Sequence, residues 1–182
     1  MKRVCVFCGS SLGRNPVYAE AAKQLGNALA NRNLGLVYGG ANIGMMGELA
    51  NAAINAGGEV IGVVPTIFVE KELAHAALSD LRIVDSMHER KALMAELSDA
   101  FIALPGGFGT LDEFFEMVTW TQLGLHHKPC GVLNVCGYYS KLTDFLDYAV
   151  SEGFIKPRHG SLIQIDENPE ALLKKFDNVM SH

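Results

Sequence analysis

The strongest chemical signal in this chain is a glycine-rich segment, Pro105 to Glu113. It follows an apolar run, 100–104, that is typical of a buried strand, and it precedes a helical pattern over 111–123. Glycines at such a junction let a ligand approach the main chain, and the free N–H groups at a helix start form an anion site. A carboxylate one turn into the helix, Glu113, can reach the group attached to a bound phosphate. The segment therefore predicts a site for a phosphorylated sugar with an acid or base beside it.

The same segment also has a purely structural interpretation. Thr110 is a predicted N-cap, and Glu113 lies at the spacing of a capping box. The glycines would then serve only a tight turn, and Glu113 would serve only as a cap. The segment is neither a P-loop, since no Gly-Lys-Ser/Thr follows, nor a Gly-x-Gly-x-x-Gly motif. Spacing alone leaves both interpretations open.

Two further glycine junctions are weaker candidates for phosphate loops. Gly9 and Ser10 follow a predicted first strand, and Gly39 and Gly40 follow a predicted second strand. A dinucleotide site at the second of these junctions is disfavoured. The dinucleotide-binding form of the Rossmann fold needs an acidic residue at the far end of the next strand, where it holds a ribose. Glu59 stands at the start of that strand instead, on the side away from the ligand.

The elements that must position these residues alternate between strand and helix. The strands are continuous apolar runs, which predicts burial on both faces. We expect strands at 3–8, 34–38, 60–64, 81–84, 100–104, 131–135 and 162–165. This order predicts an α/β fold with a single doubly wound parallel sheet, Rossmann-like, with helices on both faces. No linker or repeat interrupts it, so 1–182 is predicted to be a single domain, with the glycine junctions at the carboxyl edge of the sheet.

Two helices between these strands carry unusual side chains. Arg90 and Lys91 lie near the start of a predicted helix over 87–97, where the helix dipole disfavours cations. They are expected either to meet an anion or to form a solvated face. The helix after the glycine segment is apolar on too many faces for one side to lie in water, which predicts deep burial or a subunit interface.

Composition excludes several classes of protein. The chain has 182 residues, 49% of them hydrophobic and 19% charged, which indicates a compact fold. Its net charge of -5 and the lack of basic clusters argue against a nucleic-acid partner. No apolar run approaches the ~20 residues of a membrane span, and no signal peptide is evident, so we expect a cytoplasmic protein. Cys5 and Cys8 lack a second pair at zinc spacing, so no metal site is predicted and the cysteines are expected to be buried or loop thiols.

The segment Pro105-Gly106-Gly107-Phe108-Gly109-Thr110-Leu111-Asp112-Glu113 resembles the Pro-Gly-Gly-x-Gly-Thr-x-x-Glu motif of the Lonely Guy (LOG) family. The upstream run Met87 to Lys91 resembles the second motif of that family. The resemblance covers nearly the whole chain. It implies a Rossmann-like phosphoribohydrolase that cleaves cytokinin riboside 5′-monophosphates, and commonly AMP, to free base and ribose 5-phosphate. It further implies a homodimer that uses no cofactor.

The resemblance also assigns site residues. Arg90 and Glu113 match the catalytic pair of the family. The positions that match substrate contacts are Glu72, Lys91, Gly107, Phe108, Gly109, Thr110, Leu111, Asp112 and Thr119. Members were long labelled lysine decarboxylases, but this sequence shows no convincing pyridoxal-phosphate lysine site.

The expected chemistry follows from the reaction. Departure of a purine from C1′ builds positive charge on the ribose, and a nearby carboxylate such as Glu113 can stabilise that cation, orient water or accept its proton. Arg90 would fix the phosphate or ribose and hold Glu113 ionised. Three alternatives stay open: a carrier of the same fold, such as a molybdenum-cofactor protein; a nucleoside 2-deoxyribosyltransferase-like enzyme, which shares the glycosidic chemistry but transfers the sugar; and a DNA-processing protein with a related Rossmann-like core. The preferred base is left open.

Overall fold

A computed structural model describes residues 1–69, 75, 78 and 80–181 of the chain. Within these residues the strands form one parallel sheet in the order β4-β3-β2-β1-β5-β6-β7. The strands are β1 (Arg3–Phe7), β2 (Gly35–Tyr38), β3 (Val60–Pro65), β4 (Asp80–Val84), β5 (Ala100–Ala103), β6 (Cys130–Leu133) and β7 (Ile163–Asp166). The predicted α/β architecture is confirmed.

Helices cover both faces of the sheet. They are α1 (Val17–Asn31), α2 (Gly44–Asn55), α3 (Thr66–Val69), α4 (Met87–Leu97), α5 (Phe108–Gln122), α6 (Ser140–Ser151) and α7 (Pro169–Met180), with short 3-10 turns at Val135–Gly137 and Pro157–His159. One core cluster joins α1, α2 and α7 to the sheet, and a second joins α4 and α5 to its other face. No helix among the described residues is long and apolar enough to cross a membrane.

Burial differs between the inner strands and the edges. β1, β2, β3, β5 and β6 are buried along nearly their whole length, as their apolar runs predict. The prediction of burial on both faces is wrong for β4 and β7, whose residues are half-buried or exposed. Within the described part of the chain, each of these lies at an edge of the sheet and pairs with a single neighbour.

Local signals explain where several helices begin. The Ser86 hydroxyl accepts a hydrogen bond from the Glu89 N–H at 3.1 Å, which caps α4. The Asn168 side chain accepts from the Ala171 N–H at 3.1 Å, which caps α7. Asn15 accepts from the Val17 N–H at 3.1 Å, but α1 begins after Pro16, one residue later than the Asn-Pro pair suggests.

The predicted N-cap of the central helix is wrong. α5 begins at Phe108 with Gly107 as its cap, and Thr110 lies inside the first turn, where it is buried. The extended backbone of Gly107, at φ -98° and ψ -151°, lets the helix begin earlier than Thr110. Glu113 is therefore not part of a capping box, and its side chain is available for another role.

The topology brings three of the glycine junctions together. β1 lies between β2 and β5, so the strand order reverses at β1 and the loops after these strands meet at one edge. The reversal leaves a crevice between these loops, and in open α/β sheets ligands bind in such a crevice at the carboxyl ends of the strands. Glu59 lies at the opposite edge, where its Oε1 atom is 2.8 Å from Nη2 of Arg3, as its position before β3 predicts.

Candidate active site

A cleft of about 510 Å³ lies at the switch point of the sheet. It is built from loops and helix starts at the carboxyl ends of β1, β2 and β5, together with α4. Its polar and glycine lining comprises Gly9, Ser10, Gly39, Arg90, Gly107, Gly109, Thr110 and Glu113, and Phe108 also lines it. The structure thus brings the predicted catalytic pair and most of the predicted glycine turn to one place.

Arg90 and Glu113 lie side by side in the lining of this cleft. The Nη1 atom of Arg90 lies 3.5 Å from Oε1 of Glu113, and each side chain is about a tenth exposed. Nη1 also lies 3.8 Å from the Met87 sulfur. The buried Nε of Arg90 has no hydrogen-bond partner among the described residues. A buried guanidinium with an unused donor is well suited to bind an anionic or hydroxyl-bearing ligand.

The pKa of Glu113 is raised above its ordinary value. Burial is the largest cause, and the negative charges of Asp112 and Glu116 add to it. The positive charges of Arg90 and Lys91 oppose this shift. Arg90 therefore acts in the expected direction, but burial outweighs it. Glu113 therefore holds a proton more readily than an exposed glutamate does.

The turn before α5 presents open main chain to the cleft. A β-carbon placed on Gly107 or Gly109 would meet no atom within 4 Å. The first N–H groups of a helix lack partners within the helix, so those at the start of α5 are available to a ligand in the cleft. Phe108, between the two glycines, is 94% exposed. The geometry fits an anion seated on the helix start.

The glycines after β2 are crowded by protein atoms instead. A β-carbon on Gly39 would lie 2.2 Å from Nη2 of Arg90, and one on Gly40 would lie 2.2 Å from a methyl carbon of Val64. Gly40 also has a positive φ of 75°. These contacts give both glycines a packing role, with Gly39 making room for the guanidinium. Their contribution to phosphate binding stays a prediction.

Two predicted contact residues lie on the outer side of this pair. The Lys91 amino group lies 3.0 Å from Oε2 of Glu116 and 3.4 Å from Oδ2 of Asp112. Neither Lys91 nor Asp112 lines the cleft. Leu111 packs against the core cluster under α4 and α5. These residues join α4 to α5, next to the pair that faces the cleft.

Thr119 and Glu72 complete the set. The Thr119 hydroxyl donates to the Phe115 carbonyl at 2.7 Å, and Thr119 lines a separate groove of about 200 Å³ between α5 and α6. Glu72 lies outside the described residues.

Sequence reasoning missed the apolar wall of the cleft. Its members come from the end of β3 and from the starts of α2, α3 and α4: Ile43, Met46, Val64, Phe68 and Met87. Their only sequence signal is their position at or just after the end of a predicted strand, which does not distinguish a ligand wall from core. Cys8 also lines the cleft, but burial raises the pKa of its thiol, so it stays protonated and is a poor nucleophile.

Comparisons with known proteins place this geometry in context. Residues 46–176 match the family described as "Possible lysine decarboxylase". The chain is 52% identical over 176 residues to a probable cytokinin riboside 5′-monophosphate phosphoribohydrolase, LOGL9, of Oryza sativa subsp. japonica, covering 97% of this chain and 78% of that protein. It is 50% identical over 177 residues to the cytokinin riboside 5′-monophosphate phosphoribohydrolase LOG1 of Arabidopsis thaliana, covering 97% and 83%.

A solved structure shares the fold at much lower identity. A molybdenum cofactor binding protein of Rippkaea orientalis superposes with a TM-score of 0.74 at 21% identity, covering 99% of this chain and 98% of that one. At this identity the likeness concerns the fold alone.

Proposed function

The chain belongs to the Lonely Guy family of cytokinin riboside 5′-monophosphate phosphoribohydrolases, and we propose that it hydrolyses the N-glycosidic bond of purine riboside 5′-monophosphates. The products are free base and ribose 5-phosphate. One observation carries the mechanism: a buried Arg90–Glu113 pair faces a cleft of about 510 Å³ beside an open helix start.

The 5′-phosphate belongs at the start of α5. Gly107 and Gly109 leave open space there, and the helix dipole favours a negative charge. Glu113 lies one turn further along the same helix, so a phosphate at the helix start places the sugar beside the carboxylate. Binding energy from the phosphate, remote from the reacting bond, then positions C1′.

Glu113 acts on the attacking water. The water oxygen forms a bond to C1′ as its proton passes to the Glu113 carboxylate, and the base leaves with the electron pair of the glycosidic bond. The base nitrogen takes up a proton from solvent, and Glu113 returns its proton to solvent, so that the products are the neutral base and ribose 5-phosphate. The carboxylate also stabilises the positive charge that develops on the ribose. Its raised pKa brings it closer to neutrality, where a general base is most effective. Arg90, with a donor unused by the protein, holds the ribose or the phosphate.

The apolar wall is proposed to hold the base. Ile43, Met46, Phe68 and Met87 offer methylene, sulfur and aromatic surface to the cleft. Such a wall accepts a purine and a hydrophobic N6 substituent. The ratio of rates with AMP and with N6-isopentenyl-AMP measures how strongly the substituent is preferred.

Chromatographic detection of free base from these two nucleotides tests the function, with Glu113→Gln as the key variant. We expect Glu113→Gln to lower turnover by about 10²- to 10⁴-fold, the range for a general base, while nucleotide binding persists. Glu116→Gln is the matched control, since this carboxylate lies three residues on along α5 and does not line the cleft. Unchanged turnover in Glu113→Gln would exclude Glu113 as the catalytic group.

A carrier role is the second candidate, because a cofactor-binding protein shares this fold at a TM-score of 0.74. A carrier needs anion contacts but no buried carboxylate facing an arginine. Nucleotide binding without base release would favour the carrier. Transfer of the sugar to a second base, seen in product analysis, would favour a transferase.

We also propose a homodimer. Apolar side chains on and beside α5 and α6 are exposed, including Phe154 at 90% and Leu123 at 65%, and the groove of about 200 Å³ lies between these helices. A second copy of the chain is an occupant that would bury this surface. Light scattering with Phe154→Asp tests this: the wild type should have twice the mass of the chain, and the variant should dissociate more readily.

A cytoplasmic location is proposed on the state of the cysteines. Cys5, Cys8, Cys130 and Cys136 are all free thiols, which is typical of proteins in a reducing compartment. Fractionation of the cells that make the protein tests this proposal.

A further inference from the structure

The turn between β5 and α5 has all of its carbonyl groups engaged. Each carbonyl oxygen of residues 104–107 accepts one hydrogen bond. The donors are, in chain order, the Tyr139 hydroxyl (2.6 Å), the Gly9 N–H (3.1 Å), the Tyr138 hydroxyl (2.7 Å) and the Leu111 N–H (3.1 Å). Two of these four donors are consecutive tyrosines from the loop after β6, a neighbouring strand.

The loop after β6 is shaped so that both tyrosines reach the turn. Cys136 and Gly137 adopt positive φ values of 49° and 70°, and this reverses the chain just before the tyrosines. A cysteine in this region costs conformational energy and persists only where the surroundings hold it. The Asn134 side chain adds support, since its Oδ1 atom accepts from the Tyr139 N–H at 2.7 Å.

Ring contacts fix the orientation of both hydroxyls. The rings of Tyr138 and Tyr139 pack edge to face, with their centroids 4.9 Å apart. The rings of Tyr18 and Tyr138 also pack edge to face, with their centroids 5.6 Å apart. Tyr139 is fully buried, whereas Tyr138 is 43% exposed. The two tyrosines therefore differ in what their loss would do to the fold.

A carbonyl oxygen that pointed at a bound phosphate would repel it. Donors that hold the carbonyls of the turn from other directions leave the N–H groups of Gly107 and of the first turn of α5 free for a ligand in the cleft. We propose that Tyr138 and Tyr139 are positioning residues, whose hydroxyls preorganise the turn 104–107 and the start of α5 for the phosphate of the substrate. This inference rests on the proposed function, because it assigns the phosphate to that turn.

Tyr138→Phe is the decisive variant, because it removes one hydroxyl at a half-exposed position and leaves the ring in place. Calorimetric titration with ribose 5-phosphate should show affinity about three- to tenfold weaker, the factor expected for one hydrogen bond, whereas affinity for adenine should not change. The KM of the nucleotide should rise more than kcat falls. If Tyr138 served only the stability of the fold, its loss would not weaken the affinity for ribose 5-phosphate selectively over the affinity for adenine.

Tyr18→Phe is the matched control. It retains the ring contact with Tyr138, and its own hydroxyl makes no hydrogen bond within the described part of the chain. Both affinities should match the wild type. Tyr139→Phe should repeat the selective loss of ribose 5-phosphate binding and should also lower the melting temperature, because the Leu104 carbonyl, which is buried, loses its donor.

The outcomes separate the inference from the proposed function. If the wild type releases base and Tyr138→Phe binds ribose 5-phosphate as tightly as the wild type, only the positioning role is wrong. Equal weakening of ribose 5-phosphate and adenine would also overturn that role, since it indicates general damage to the cleft. If the wild type neither releases base nor binds ribose 5-phosphate, the proposed function and the inference both fail.

Discussion

The two strand-to-helix turns after β2 and β5 look alike in sequence and differ in what their glycines do. After β2, β-carbons on Gly39, Gly40 and Gly44 would lie 2.2 to 2.3 Å from protein atoms. After β5, β-carbons on Gly107 and Gly109 would meet nothing within 4 Å. The first set of glycines lets protein groups approach one another, and the second set leaves room for a ligand. A glycine-rich pattern alone therefore does not reveal a phosphate loop.

The helices that follow the two turns extend this difference. Glu113 of α5 lines the cleft beside Arg90, whereas Glu48 of α2 pairs with Lys23 at 3.2 Å and does not line it. The residue that α2 contributes to the cleft is Met46, in the apolar wall. The two turns are therefore proposed to hold different parts of one nucleotide. The turn after β5 holds the phosphate and presents the carboxylate, and the turn after β2 supports Arg90 and the base.

Gly39→Ala should have the largest effect of any change at these turns. The added methyl group would take the place of the Arg90 guanidinium, whose Nη2 atom is 2.2 Å from that position. Because a shift of about 1 Å at a reacting centre can cost about 10²-fold, kcat/KM should fall by about that factor. The melting temperature should change little, since the far end of Arg90 can move. Steady-state kinetics and thermal unfolding measure both quantities.

Gly57→Ala is the control for this change. Gly57 lies between α2 and β3, has a φ of 77°, and has no atom within 4 Å of a placed β-carbon. Backbone strain should lower the stability of this variant and leave kcat/KM unchanged. Full activity in Gly39→Ala would show that Gly39 does not make room for Arg90. The glycines of the turn after β2 would then not have the packing role that distinguishes them from those after β5.

Gly107→Ala should have a smaller and different effect. Its φ of -98° is open to alanine, and the methyl group would enter empty space, so the melting temperature should not fall. The methyl group would stand where the phosphate is proposed to bind, and the KM of the nucleotide should rise by about tenfold, as expected for one misplaced methyl group. Unaltered KM and unaltered affinity for ribose 5-phosphate would mean that the ligand does not approach Gly107.

The sequence predicted the order of the elements because apolar runs and helix caps are local signals. The helix predicted over 87–97 is α4, and its start is fixed locally by the Ser86 cap. The Thr110 cap was wrong because the backbone of Gly107, and not the spacing of Thr110 and Glu113, decides where α5 begins. Local spacing could not reveal this choice.

The contacts that sequence could not predict join distant segments. Gly39 meets Arg90 because α4 packs above the end of β2, and Tyr138 meets Gly106 because β6 pairs with β5. The charges of Arg90 and Glu113 were recognised by residue type, by position near strand ends and by family resemblance. Their separation of 3.5 Å and their burial depend on how α4 and α5 pack.

The smallest expected effect concerns the charges beside the catalytic carboxylate. Because burial raises the pKa of Glu113, the carboxylate takes up its proton at a higher pH than an ordinary glutamate with a pKa of about 4.3. A general base is inactive when protonated. The acidic limb of the kcat/KM profile should therefore lie above that value, and activity should fall as pH falls through the raised pKa.

Asp112→Asn removes one of the negative charges that raise this pKa. The acidic limb should move to lower pH, by less than about one unit, because Asp112 is exposed and its charge is screened by solvent. The shift should shrink in high salt, whereas the shift caused by burial should persist. This salt dependence distinguishes the two turns. Beside the open turn after β5, solvent-exposed charged side chains change the pKa of the carboxylate, whereas at the closed turn after β2 steric contacts determine the position of Arg90. A limb that moved to higher pH would mean that it reports a group other than Glu113, since losing a nearby negative charge can only make this carboxyl more acidic.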